Sequence, residues 1–517
     1  MTTLSSLISL HPKDAPAIGA PGRPWLSYGG LHDLAQNVAT ALHNCNIGRG
    51  DRVAIVMPNG PEMATAFITV MQSAVTAPLN PSYRQDEYEF YLQDLGAKAI
   101  ILPHDYTGPA LEAAKAIDLR ILRAHSAADA KAGHFDLTPD SIGMTATETD
   151  DWQSDKSLTN ENDVGLILHT SGTTSRPKIV PLLQSNLAAS ATNIKNTLAL
   201  TPEDRCLNIM PLFHIHGLLA AVSASLVAGA SVCCTSGFDA LRFFSVIKDV
   251  NPSWYTAVPT MHQAILSRAN RNKDIIANLK LRFLRSSSAS LPSQVMHELV
   301  DTFSAPVIES YGMTEAAHQM ASNPLPPKPQ KPGAVGVEAG PLVRIANETE
   351  NELMNADAIG EVVISGDNVT PGYENNPAAN EASFFMADGS RWFRTGDQGT
   401  FDSDGYLSLT GRLKEIINRG GEKVSPLEVD EVLMDHPAVA QVVTFALPHA
   451  KLGEEVACAL VLKAEAQATA QDIRTFAATR MADFKVPRKV VILDEIPKGA
   501  TGKMQRIGLA EKLGLVE

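Results

Sequence analysis

Cysteine is scarce in this chain. Five occur in 517 residues, Cys45, Cys206, Cys233, Cys234 and Cys458. None has metal-ligand spacing, and five in this length cannot make a disulfide scaffold. Cys233 and Cys234 sit in the apolar run 230–234, where buried free thiols are expected. Positive charge is in deficit: 43 Lys and Arg against 57 Asp and Glu leave a net charge of −14. That argues against nucleic acid or an anionic membrane as partner, so an anionic substrate needs a local cationic site. No apolar run reaches the ~20 residues that span a bilayer. The segment Met1–Leu7 has no basic stretch leading into an apolar core. The ending Leu515-Val516-Glu517 is not a peroxisomal signal. A reduced, cytoplasmic location is the resulting expectation. Repeats and low-complexity tracts are also missing.

What is present is ordinary globular material, 44% hydrophobic and 19% charged. The length calls for more than one core. Leu31, Leu34, Ala35, Val38, Ala39 and Leu42 recur at helical spacing. The runs 53–57 and 99–102 read as buried strands, and 61–77 reads as helix. Strand and helix alternate to about residue 310, which signals α/β layers with largely parallel sheets. Pro324, Pro326, Pro327, Pro329 and Pro332 mark an extended connection. Short strands at 360–366 and 405–409 then suggest a β-rich subdomain. From Gly411 onward the pattern is strand, helix, strand, helix, strand over a domain-sized length. The expected fold is therefore α/β. A large N-terminal domain, 1–411, holds stacked mixed sheets and the β-rich subdomain, and a small α+β domain follows over 412–517.

The richest segment is Thr170-Ser171-Gly172-Thr173-Thr174-Ser175-Arg176-Pro177-Lys178, directly after the apolar run 164–168. Backbone N–H groups and hydroxyls in such a loop can surround phosphate oxygens, and Lys178 adds positive charge. The spacing is not that of a Walker loop. Taken alone, a Ser/Thr/Gly surface turn explains it as well. Four further segments follow in order: Glu309-Ser310-Tyr311-Gly312-Met313-Thr314-Glu315, Trp392-Phe393-Arg394-Thr395-Gly396-Asp397, Gly411-Arg412-Leu413-Lys414-Glu415 and Lys498-Gly499-Ala500-Thr501-Gly502-Lys503.

In this order the five segments resemble the adenylate-forming superfamily of acyl-CoA synthetases, luciferases and adenylation domains, over nearly the whole chain. The resemblance implies two steps. A carboxylate attacks the α-phosphorus of ATP, and the thiol of coenzyme A then displaces AMP. Thr170, Ser171, Gly172, Thr173, Thr174 and Lys178 are expected to hold the outer phosphates. Glu309, Ser310 and Tyr311 are placed beside adenine. Thr314 is placed at the α-phosphate, and Glu315 is the expected Mg²⁺ ligand. Asp397 and Arg412 are assigned to the ribose, and replacing Asp397 is expected to take nothing from the core. Lys503 is the expected adenylation lysine. Lys414 is the hinge about which the small domain moves, and Gly420 and Gly421 let backbone pass beside coenzyme A. Ser175 and Ile179 depart from the superfamily pattern, which has glycine there.

The acyl pocket is expected between 211–217, 285–290 and the residues after Glu315. His214, Ser288 and His318 point to a short, doubly anionic acid, because a second buried carboxylate needs such donors. His216 is expected to be a structural histidine satisfied locally. Residues 169–178, 211–220, 254–260 and 313–326 also resemble the oxalate–CoA ligases of plants and yeast. Oxalate is thus the favoured acid. The alternatives are malonate, a fatty or an aryl acid, or a stand-alone adenylation enzyme loading a carrier protein.

Overall fold

The computed structural model describes residues 2–140, 155–170, 177–497 and 504–516. These build four sheets. A seven-stranded sheet carries the early βα units. Its strands Arg52–Ile55, Val75–Pro78, Ala99–Pro103 and Arg120–His125 run parallel, and Val164–Thr170 joins them beside Val75–Pro78. A nine-stranded sheet has a parallel centre of Ser231–Cys234, Arg205–Asn208, Trp254–Ala257, Phe283–Ser287 and Val307–Met313. Most of these strands are buried along their length, as parallel strands covered on both faces must be.

Helix Pro61–Val70 packs against strands of both large sheets. Every residue but Glu62 is buried. The continuous apolar stretch expected as one helix over 61–77 is in fact this helix followed by strand Val75–Pro78. Full burial removes the polar face that would mark a helix end, so periodicity could not separate the two. Helix Tyr28–Asn44 matches its predicted stripe, with Leu31, Leu34, Ala35, Val38 and Leu42 inward. The Ser27 hydroxyl accepts the Gly30 N–H at its start.

The β-rich unit holds Leu342–Ala346, Gly360–Ser365, Phe384–Ala387, Ser390–Phe401 and Leu407–Arg412, all antiparallel. The segment 392–397 is the middle of the long strand Ser390–Phe401. Gly396, at φ 73°, and a register shift bend that strand in place of a loop. Toward the C-terminus two short strands, Ile417–Arg419 and Glu422–Val424, precede helix Pro426–Met434. The long hairpin Val439–His449 with Gly453–Leu462, helix Ala470–Ala478 and strand Lys489–Ile492 complete the last sheet. Strand and helix thus alternate in the expected order, with antiparallel hairpins at the first two strand positions.

Chain direction places the chemistry. The parallel strands of the nine-stranded sheet all end on one edge. The chain leaves Asn208 toward His214, Ser287 toward Ser288 and Met313 toward Glu315 on that edge. Loops at the carboxyl ends of parallel strands are where such sheets bind ligands.

Candidate active site

Asp397 and Arg412 are register partners on adjacent antiparallel strands. Arg412 Nε lies 3.1 Å from Asp397 Oδ1. The Tyr311 hydroxyl, from the other sheet, donates to Asp397 Oδ2 at 2.5 Å. Burial first, and then the Asp397 charge, push the Tyr311 pKa far up, so the hydroxyl stays a donor. Asp397 raises the Arg412 pKa. Three residues separated in sequence are thereby locked at one point. One expectation fails. Asp397 is buried and holds a buried hydroxyl, so its removal does take a contact from the core.

Glu315 sits in the short 3₁₀ turn Thr314–Ala316 and is buried. Burial raises its pKa, while the Tyr373 hydroxyl, Lys178 and Arg412 act in the opposite direction. Tyr373 donates to Glu315 Oε1 at 2.9 Å, and Lys178 Nζ stands 4.2 Å above the Tyr373 ring. Lys178 has its own pKa lowered by burial, raised by Glu315 and lowered by Lys414. Lys178 and Arg412 therefore act on one carboxylate, with Lys414 near Lys178. That is the local cationic site an acidic protein needs for a polyphosphate. Among the described residues no group of three metal-ligating side chains occurs. Mg²⁺ fits here in the mode it prefers, with one carboxylate and the rest from phosphate and water.

Thr170 faces Lys178 across the strand pair. Ser171, Gly172, Thr173 and Thr174 lie outside the described residues, as does Lys503. Ile179 is a buried strand residue whose carbonyl accepts the Glu374 N–H. Its β-branched side chain is core material, which accounts for that departure. Lys414 is exposed in the turn after Leu407–Arg412, a fitting place for a hinge. Gly420 and Gly421, at φ 62° and 96°, form the turn between Ile417–Arg419 and Glu422–Val424. Beside them Lys423 pairs with Glu348, at a cleft of about 650 Å³ that Gly421, Leu452 and Gln398 also line.

The histidines form a second cluster. His216 Nδ1 lies 3.0 Å from Ser288 Oγ, and its Nε2 lies 2.6 Å from Thr256 Oγ1. Its ring meets His318 edge-on at 5.1 Å. The His216 N–H donates to His214 Nδ1 at 3.4 Å. So His216 is satisfied, as expected, but by partners from distant strands, and it joins the candidate acid pocket. Ser288 has φ 76° and His318 has φ 102°. Left-handed backbone at two non-glycine residues is costly and clusters at functional sites. The turn into His318 is tight: a Cβ on Gly312 would stand 1.7 Å from the His318 carbonyl oxygen.

Glu309 and Ser310 make internal contacts in the strand beside Tyr311. Glu309 is buried, and its Oε1 accepts the Leu291 N–H at 2.9 Å. Burial pushes its pKa up to about 8. The Ser310 carbonyl accepts the Ser287 hydroxyl at 2.8 Å. Both brace the loop carrying Ser288.

A family model described as AMP-binding enzyme matches residues 8–374. The chain belongs to the AMP-binding enzyme family. A second model, the AMP-binding enzyme C-terminal domain, matches 428–503. An oxalate–CoA ligase of Arabidopsis thaliana is 45% identical, over 98% of this chain and 97% of that one. An oxalate–CoA ligase of Saccharomyces cerevisiae is 39% identical, over 94% and 92%. The crystal structure of ATP-bound MatB from Rhodopseudomonas palustris superposes with TM-score 0.86 at 25% identity, covering 99% of both chains.

Within this family framework, four residues of the two clusters escaped the sequence reading: Thr256, Arg285, Gln319 and Tyr373. Arg285 carried a signal, being a charge inside the apolar strand Phe283–Ser287. Tyr373 lies in an irregular loop and carried none.

Proposed function

We propose that this protein is an ATP-dependent oxalate–CoA ligase. The observation that carries this reading is a polar cluster at the carboxyl ends of the parallel strands. His214, Ser288 and His318 gather around His216 there, and as the acid site the cluster would offer polar groups where an alkyl or aryl tail needs apolar walls. The two relatives of that name support the same reading.

The mechanism follows from charge. An oxalate oxygen attacks the α-phosphorus of ATP in line, and the bond to pyrophosphate breaks. Lys178 and Lys503 neutralise the phosphates and the Thr314 hydroxyl donates to the α-phosphate, with Thr170–Thr174 holding the outer ones. Glu315 would hold the Mg²⁺, which when bound would supply further neutralisation of the leaving group. Tyr311, Asp397 and Arg412 hold the nucleoside. The thiolate sulfur of coenzyme A then attacks the activated oxalyl carbon, and AMP leaves with the electron pair of the broken C–O bond. We assign the change between steps to rotation about Lys414, with residues 1–411 as one domain and 412–517 as the other, and Gly420 and Gly421 beside the incoming thiol. Coenzyme A thus enters as a co-substrate, and no nucleic acid or membrane partner is invoked. Among the described residues no helix is long and apolar enough to cross a membrane. A cytoplasmic location accompanies the reading, and the five free, buried cysteines support a reducing compartment.

Pyrophosphate exchange tests the reading. Oxalate should drive exchange into ATP without coenzyme A. Exchange driven by hexanoate or cinnamate but not by oxalate would refute it.

A further inference from the structure

Arg285 is among the largest fully buried side chains of the molecule, with no exposed surface. Among the described residues no carboxylate pairs with it. Its contacts are long: Nη1 lies 3.5 Å from His216 Nε2, and Nη2 lies 3.4 Å from Gln319 Oε1. Its Nε has no hydrogen-bond partner. A buried guanidinium normally faces an anion, because desolvating the charge without one is expensive. Two hydrogen bonds away, through the His216 ring, stands the Ser288 hydroxyl, on the rim where the acid would bind.

We propose that Arg285 is a positioning residue that acts through His216 to aim the Ser288 hydroxyl at the non-reacting carboxylate of the substrate, and that its charge is the counter-charge for that carboxylate. The inference rests on the oxalate reading. A guanidinium only donates, so the nitrogen it faces must present a lone pair. That nitrogen is Nε2, and the Thr256 hydroxyl at 2.6 Å also donates to it. The ring proton then sits on Nδ1 and is donated to Ser288 Oγ at 3.0 Å. The ring proton takes one lone pair of Ser288 Oγ and leaves its hydrogen free to point outward. A carboxylate oxygen is the partner that arrangement favours, since it accepts that hydrogen and carries the charge that Arg285 balances. The left-handed backbone at Ser288 holds its oxygen against the ring.

The test compares oxalate with oxamate, in which a neutral amide replaces the non-reacting carboxylate. Wild-type protein should favour oxalate in kcat/KM by at least about 10-fold, the lower end of what one hydrogen bond to a charged group contributes. In R285Q, which keeps a donor toward His216 but removes the charge, oxalate kcat/KM should fall about 10- to 100-fold, mainly through KM, while oxamate changes little. R285K should recover most of the discrimination. In an S288A background R285Q should add little, because the relay is already broken. Equal loss on both acids in R285Q would make Arg285 merely structural and overturn the proposal, leaving the oxalate reading standing. If R285Q does not fold, the wild-type ratio decides: equal use of oxalate and oxamate overturns the proposal. A wild-type preference for hexanoate or cinnamate overturns the proposal and the oxalate reading together.

Discussion

Asp397 carries two jobs, and two substitutions separate them. In Asp397→Ala the Tyr311 hydroxyl loses its 2.5 Å acceptor inside the protein. Leaving a buried donor unsatisfied costs about 1–3 kcal/mol of stability. The Arg412 contact adds little, because that side chain is 53% exposed and the pair is screened by water. In Asp397→Asn the side-chain oxygen can still accept from Tyr311, so stability should fall by less than about 1 kcal/mol. The ionised acceptor for the ribose is lost in both variants. Two hydroxyls donating to a carboxylate become, at best, two donating to an amide. A charged hydrogen bond contributes about 1.5–3 kcal/mol, so ATP affinity should fall about 10- to 100-fold in both. Calorimetric titration with ATP and a thermal melt of each variant supply the numbers. A folded Asp397→Asn protein that binds ATP as wild type does would refute the ribose assignment. An Asp397→Ala melt unchanged from wild type would refute the structural role of the Tyr311–Asp397 bond.

Stability against pH should report Glu309. Its pKa in the fold is pushed up to about 8 from an ordinary 4.5, so its contribution is intact below about 4.5 and is lost as pH rises through about 8. E309Q should therefore gain on wild type across that window, with a ceiling of about 5 kcal/mol at ~1.4 kcal/mol per pH unit, read by chemical denaturation at pH 5 and pH 9. Parallel curves for the two proteins would contradict the buried neutral acid. S288A and H318A should each lose about 10- to 100-fold in kcat/KM on oxalate while weak acetate activity persists. Equal loss on both acids would place these residues at the nucleotide instead. K503A should lose roughly two to three orders of magnitude in adenylation yet still transfer a supplied acyl-adenylate to coenzyme A. Equal loss in both half-reactions would reject its assigned role.

Contiguous motifs were legible in the sequence because a single local geometry serves each of them. The turn at Thr314–Ala316 and the strand carrying Asp397 present their groups wherever the rest of the chain goes. The layered α/β architecture was legible for a similar reason, since buried parallel strands are short apolar runs. What sequence could not show was assembly across strands. His216 meets Thr256 and Ser288 only because strand Trp254–Ala257 lies between Arg205–Asn208 and Phe283–Ser287. That order is set by the whole sheet, and no spacing in the sequence records it. Nor does spacing record that strand alternation turns the Glu309 side chain toward Leu291. Tyr373 reaches Glu315 from a loop whose path is held by contacts as distant as Thr370 with the Pro181 carbonyl.

The central claim is the identity of the acid. The most direct measurement incubates the purified protein with ATP, Mg²⁺ and coenzyme A, offers oxalate, malonate, hexanoate or cinnamate, and identifies the thioester by mass while AMP is counted. Oxalate should give oxalyl-CoA and AMP in equal amounts, with the highest kcat/KM of the four. A higher kcat/KM for any other acid, or AMP formed from oxalate with no oxalyl-CoA, would contradict it.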